Sequence, residues 1–186
     1  SGRVLRLPFF RKHGGFCCAG LDLEAGRAVL VRSGSAGPEV VARAVTEPRP
    51  DPGDTAAVLL EELGAPDAPV VVDLAGEGVM VKSLRLPADI GESGIPEAVR
   101  WQFAEVLEGS SLVRHVALGQ SPDGQHEVLA AAVPEALVEG KVAPLKAAGA
   151  RLLAADLRAC ALWRAAELLS GREGKALGAV EVSPSG

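Results

Sequence analysis

Two adjacent cysteines, Cys17 and Cys18, and two histidines, His115 and His126, are the residues best suited to metal or redox chemistry in this sequence. Neither pair is spaced for it. Cys17 and Cys18 fall in an apolar run that reads as a β-strand, where neighbouring side chains leave on opposite faces and cannot grip one ion together. Core packing is the expectation for both, as for most free cysteines. The histidines sit on the apolar runs 112–119 and 126–133, which flank the loop Gln120-Ser121-Pro122-Asp123-Gly124-Gln125. Closing that loop as a hairpin sets 119 opposite 126 and leaves His115 about four rungs away, too far to share a zinc ion with His126. No serine or cysteine stands in a nucleophile motif near either histidine, so a hydrolytic triad is not indicated. Arg100 and Trp101 are more informative. On a helix both fall outside the stripe Ile95, Val99, Phe103, Leu107, with Trp101 about 100° away from it, which leaves the indole partly exposed. An exposed Trp beside an Arg is the composition of an interface anchor. The competing reading, of equal weight, is that Trp101 covers a hairpin of its own subdomain.

These residues must be positioned by a chain of 186 residues, 48% apolar and 23% charged, with net charge -5. That length allows one large domain or two small ones with a core that needs no disulfides. The acidic balance argues against nucleic acid, whose phosphates call for a basic stripe; basic residues cluster only at Arg3, Arg6, Arg11 and Lys12. This apolar and basic start suits a solvated tail best, ahead of contact with an anionic membrane or a partner, because Pro8 blocks an amphipathic helix. Three cysteines, two of them adjacent, make no disulfide framework and fit a reduced, cytoplasmic chain. No apolar run approaches the roughly 20 residues of a spanning helix, and the charges and Pro8 near the start do not fit a signal peptide. With four Phe, two Trp and no Tyr, the core must be built from Leu, Val and Ala.

The expected order of elements begins with three antiparallel strands between Phe16 and Val45, separated by the turn signals 24–26 and 34–38. A Pro-rich loop leads to Asp54 as N-cap of a helix 55–63, stopped by Gly64. The run Pro69–Leu74 reads as a buried central strand and Val79–Leu86 as another. Pro96 opens an amphipathic helix that carries the Ile95-to-Leu107 stripe. A hairpin and a helix from Pro134 to Gly149 follow, then a strand 151–156, a helix 157–169 closed by Gly171, and a strand 176–182. The class is α/β. The expected domains are a core made of 1–86 and 150–186, and an inserted helix-hairpin-helix subdomain at 87–149.

Three stretches carry a resemblance to a known family. Leu7-Pro8-Phe9-Phe10 followed by Gly20-Leu21-Asp22-Leu23-Glu24 is similar to an opening strand G-[IL]-D-[IL]-G. Val79 to Val106, "VMVKSLRLPADIGESGIPEAVRWQFAEV", resembles the strand, the "LRLP" and the A-[IV]-R-W helix that open an inserted subdomain. Glu127 to Ala165 matches a run of strand, helix, "AG", strand, D, and an Ala-rich helix ending in R-A. In this order they resemble the actin-like pilus assembly proteins of the PilM type, with the related MshI and the cytoplasmic part of type II secretion GspL. The likeness covers nearly the whole chain and about the first half of a full family member.

The resemblance implies an actin-like (ribonuclease H-like) core and a turn after the first strand that approaches nucleotide phosphates. Asp22 stands at its acid position, and Gly26 and Arg27 are the residues that would help to bind phosphate. Glu24 replaces the usual Gly and Ala25 the usual Ser or Thr. A carboxylate facing a triphosphate is repulsive, so the turn implies a degenerate site. The second phosphate motif, Glu181-Val182-Ser183-Pro184, keeps an acid and loses the glycine. No cofactor is therefore expected, with ATP and Mg implied only for a full-length relative. The function implied is that of a cytoplasmic adaptor, peripheral to the inner membrane, in a type IV pilus or type II secretion platform. Its implied partner is the cytoplasmic peptide of a PilN-like membrane protein, held in a groove between core and inserted subdomain, with Leu84, Leu86, Arg100 and Trp101 as contact residues. Other platform proteins and self-association are further expected partners. An actin-like ATPase whose second half lies outside this chain, and a filament or oligomer module, are the alternative readings.

Overall fold

A computed structural model describes residues 16–162 and 164, except 36 and 108. The basic start, most of the helix expected over 157–169, the strand expected over 176–182 and the motif at 181–184 lie outside the described residues. The described chain divides into two compact units, residues up to Asp73 with those from Val142, and Leu74–Lys141.

In the first unit, β1 (Cys17–Asp22), β2 (Arg27–Gly34) and β3 (Gly37–Val45) form the expected antiparallel meander. After the helix α1 (Pro52–Glu62), the strand β4 (Val70–Leu74) returns parallel to β1 with Leu21 opposite Val72. With β8 (Leu152–Leu157) the sheet has the order β3-β2-β1-β4-β8. Period-two alternation points Ala19 and Leu21 of β1 and Val70 and Val72 of β4 into a core shared with Leu59 and Leu60 of α1. Asp51, three residues before the expected Asp54, caps α1: its Oδ1 accepts from the Gly53 N–H at 2.7 Å. The proline at the first helical position, whose missing N–H needs no partner there, explains the earlier start. Buried Thr55 fixes the incoming loop, its Oγ1 accepting from the Arg49 N–H at 2.8 Å.

In the second unit, β5 (Met80–Leu86), β6 (Ser111–Gln120) and β7 (His126–Pro134) make an antiparallel sheet of order β5-β7-β6. One face, with Leu84, Leu86, Val128, Ala130 and Ala132, packs on the helix α2 (Ile95–Trp101) and on Phe103. The boundary read at 87 differs from this: β5 pairs with β7 from Met80 to Leu86, so 80–86 belongs with the hairpin and not with the core sheet. α3 (Glu135–Ala147) begins in this unit and ends in the first, where Leu145 is fully buried. α2 is shorter than the expected helix to Leu107. Beyond Trp101 the chain tightens into turns, the N–H of Phe103 reaching Arg100 O (3.1 Å) and that of Ala104 reaching Trp101 O (3.2 Å). Lys82 holds this end, donating to Gln102 O at 3.1 Å with its ammonium 5.0 Å from the centre of the Phe103 ring. The apolar stripe survives the tightening: Ile95, Val99 and Phe103 are buried and Leu107 packs against them.

Candidate functional site

Because β1 and β4 run parallel in register, they end together, and each carries a carboxylate near its end: Asp22 closes β1 and Asp73 is the residue before the last of β4. Both alternate away from the face that packs on α1. β8, the next strand across, is followed at once by Arg158. Its guanidinium reaches both acids. Nη2 lies 2.5 Å from Asp73 Oδ2 and 3.2 Å from Asp22 Oδ1, and Nε donates to Asp73 Oδ2 at 2.9 Å. All three side chains are largely withdrawn from solvent, 16% exposed at Asp73, 27% at Arg158 and 29% at Asp22. Arg164 pairs in turn with Asp156 of β8. The edge where parallel strands end is the usual ligand crevice of an open α/β sheet. Here an internal cation bridges its two acids.

The turn after β1 is closed on itself as well. Asp22 Oδ1 accepts from the Ala25 N–H at 3.1 Å, an Asx-type turn. Gly26 has φ +59°, and a Cβ there would stand 2.0 Å from Thr46 O. Its carbonyl also accepts from the Thr46 N–H at 2.8 Å. Hairpin geometry against the end of β3 thus accounts for this glycine. Arg27 is exposed at the start of β2, opposite Asp22 in the register. Of the residues named from sequence at this turn, the structure brings only Asp22 into the charge cluster. Asp73 and Arg158 were missed; the signal was an acid closing the apolar run 70–74 and a lone arginine just past the strand 152–157.

In the second unit Leu86 is 2% exposed and the partly buried Leu84 packs on the same core, so both side chains are engaged by their own subdomain. Trp101, by contrast, is 69% exposed, which favours the anchor reading over the covering one. Arg100 is exposed and lines a pocket of about 390 Å³ with Leu107, Gly109, Ser111, Leu112, Val113, Arg114 and Glu135. The histidines stay apart: His115 opposes Ala130, and a bulge between Ala117 and Gly119 shifts the register so that Gln120, not 119, opposes His126. Cys17 and Cys18 are half-buried, and burial, then the neighbouring Cys17, pushes the Cys18 thiol up from its ordinary value. Among the described residues no group of three or more His, Cys, Asp or Glu is placed to hold a metal ion, and no helix is long and apolar enough to cross a membrane.

No protein-family model and no curated protein matches the chain. Solved structures do. The PilM-PilN type IV pilus biogenesis complex aligns with 83% of this chain and 51% of its own at 24% identity and TM-score 0.65. The cytoplasmic domain of EpsL, an inner-membrane component of the type II secretion system of Vibrio cholerae, aligns with 77% of this chain and 57% of its own at 13% identity and TM-score 0.55. The chain has their fold. That is the α/β class that the sequence motifs implied, and the chain spans about half the length of the structures it matches.

Proposed function

We propose that this chain is the partner-binding part of an adaptor in a type IV pilus or type II secretion platform. It works at the cytoplasmic face of the inner membrane and captures the cytoplasmic peptide of a PilN-like membrane protein. The observation that carries this reading is the likeness, over 83% of the chain, to a structure solved as a PilM-PilN complex. Family membership in the PilM and GspL group, and residues 74–141 as the inserted subdomain of an actin-like core, are parts of the same reading.

The nucleotide site of this half is degenerate. Asp22 is committed to Arg158 and to the Ala25 N–H, and a Mg-triphosphate would have to displace a guanidinium already bonded to both acids. These residues do not suit a metal-bound phosphate, and the reading as an ATPase completed by residues outside this chain is disfavoured on the same ground.

The test is a fluorescence-polarisation titration of the chain with the N-terminal cytoplasmic peptide of the PilN-like protein of the same genome. Saturable binding in the micromolar range, weakened by Trp101→Ala, is the expected result; none up to millimolar peptide, with a folded chain by circular dichroism, refutes the adaptor reading. Millimolar Mg-ATP should leave the melting temperature unchanged, whereas a ligand at 100 times its Kd adds about 2.7 kcal/mol.

A further inference from the structure

β6 has β7 on one side and no strand on the other among the described residues. The hydrogen bonds to β7 fix which of its backbone groups face the open side. Glu135 N–H donates to Ser110 O at 3.0 Å across the Ser111–Pro134 pair, which makes that pair a non-hydrogen-bonded rung of the ladder. By alternation Ser111, Val113 and His115 turn their N–H and C=O groups outward. Val113 O bears this out, because the Arg114 guanidinium, and no strand, donates to it at 2.9 Å. Beyond Ala117 the bulge twists the edge away, so the ladder open to a new strand runs over 111–116.

The pocket lies along this stretch. Two guanidinium-bearing residues, Arg100 and Arg114, line it against one carboxylate, Glu135, with Leu107 and Leu112 as apolar wall. The Ser111 hydroxyl is buried there and has no hydrogen-bond partner among the described residues. An excess of positive charge suits a carboxylate side chain. An open ladder beside the arginines suits the backbone that carries it.

We infer that the captured peptide adds as a fourth strand to the open edge of β6 over 111–116, with an acidic side chain held between Arg100 and Arg114. This rests on the reading that the chain captures a peptide. Binding transfers Val113 O from the Arg114 guanidinium to a peptide N–H and frees that guanidinium for the peptide carboxylate.

The experiment uses the full chain and the PilN-like cytoplasmic peptide, with residue-resolved amide exchange and N-methylated peptide variants. Bound peptide should slow exchange at Ser111, Val113 and His115 at least tenfold. Methylating alternate peptide nitrogens should weaken binding at least tenfold while methylating the intervening ones does not. Arg114→Glu, at an exposed position, should weaken binding at least tenfold, as should alanine at the peptide's acidic residue. Saturable binding with protection elsewhere, no alternation and no effect of Arg114→Glu overturns the edge inference and leaves the adaptor reading standing. Absence of saturable binding overturns both. Protection of 111–116 that needs no peptide and grows with chain concentration assigns the edge to a second copy and overturns the inference.

Discussion

Replacing Arg158 with methionine, which keeps most of the bulk and removes the charge, is expected to lower stability by about 3 kcal/mol. The distances set this magnitude. Asp22 Oδ1 and Asp73 Oδ2 lie 3.2 and 2.5 Å from the same Nη2, so the two oxygens are no further apart than those distances laid end to end. Two unit charges about 5 to 6 Å apart repel by about 3 kcal/mol at an effective dielectric of about 20, the value for sites near a protein surface. Lost hydrogen bonds to charged groups add about 1.5 to 3 kcal/mol, and residual solvent around the partly exposed acids takes back a similar amount. For a chain of this size about 3 kcal/mol is a fall of about 6 to 12 °C in melting temperature. Thermal and urea melts followed by circular dichroism at pH 7 measure it. The double variant Asp73→Asn, Arg158→Met removes the repulsion and should recover about half of the loss. A single variant that melts within a degree of the parent, or a double variant no better than the single, refutes the view that Arg158 is the counter-ion of this strand-end pair.

Gly26→Ala should cost about 2 to 4 kcal/mol in urea melts, since a Cβ would stand 2.0 Å from Thr46 O and the residue holds φ +59°. Leu86→Ala, at 2% exposure, should destabilise by about 2 to 4 kcal/mol, while Trp101→Ala, at 69%, should change stability by about 0.5 kcal/mol or less and act on peptide binding alone. Burial raises the thiol pKa of Cys160, as it does that of Cys18. Both stay protonated at neutral pH, and their alkylation by iodoacetamide should accelerate only above the pH at which a free peptide thiol reacts.

The strands of both sheets were legible because their apolar runs are short and bounded by Gly, Pro and Asp, and a period of two reads directly off such runs. The partner of each strand was less legible. Val79–Leu86 carries no mark of whether it joins β4 or the hairpin, since pairing is decided by which face Val128 and Ala130 offer to Leu84 and Leu86 at long range. The start of α1 was legible to within a turn, since Asp51 and Asp54 are both good caps and the proline at 52 decides between them, whereas the end of α2 at Trp101 was not, because the apolar stripe runs on to Leu107 through tighter turns. Resemblance points to phosphate chemistry at the turn 24–27, next to Asp22 in sequence. Arg158 is 85 residues from Asp73, and no local pattern announces that they meet. Only the sheet order, β1-β4-β8, brings the ends of three strands together.

That sheet order also bears on where recognition can take place in each unit. At the strand ends of the first unit two carboxylates share the Arg158 guanidinium and Asp22 also accepts from the Ala25 N–H, so both acids are already bonded within the chain. The second unit has the opposite character. Its apolar side chains on the helix face are consumed by the core around Phe103, while among the described residues β6 has no strand on its outer side and Trp101, Arg100 and Arg114 are exposed. Open backbone favours an extended chain over a compact ligand, because a strand can satisfy alternate N–H and C=O groups that a small molecule cannot. Specificity must then come from the few side chains beside the ladder. Under the strand-addition proposal Arg100 and Arg114 carry the charge that the peptide has to match, so reversing one of them should change which peptide is bound: Arg114→Glu should turn preference from a peptide with an acidic residue to the same peptide with lysine in its place.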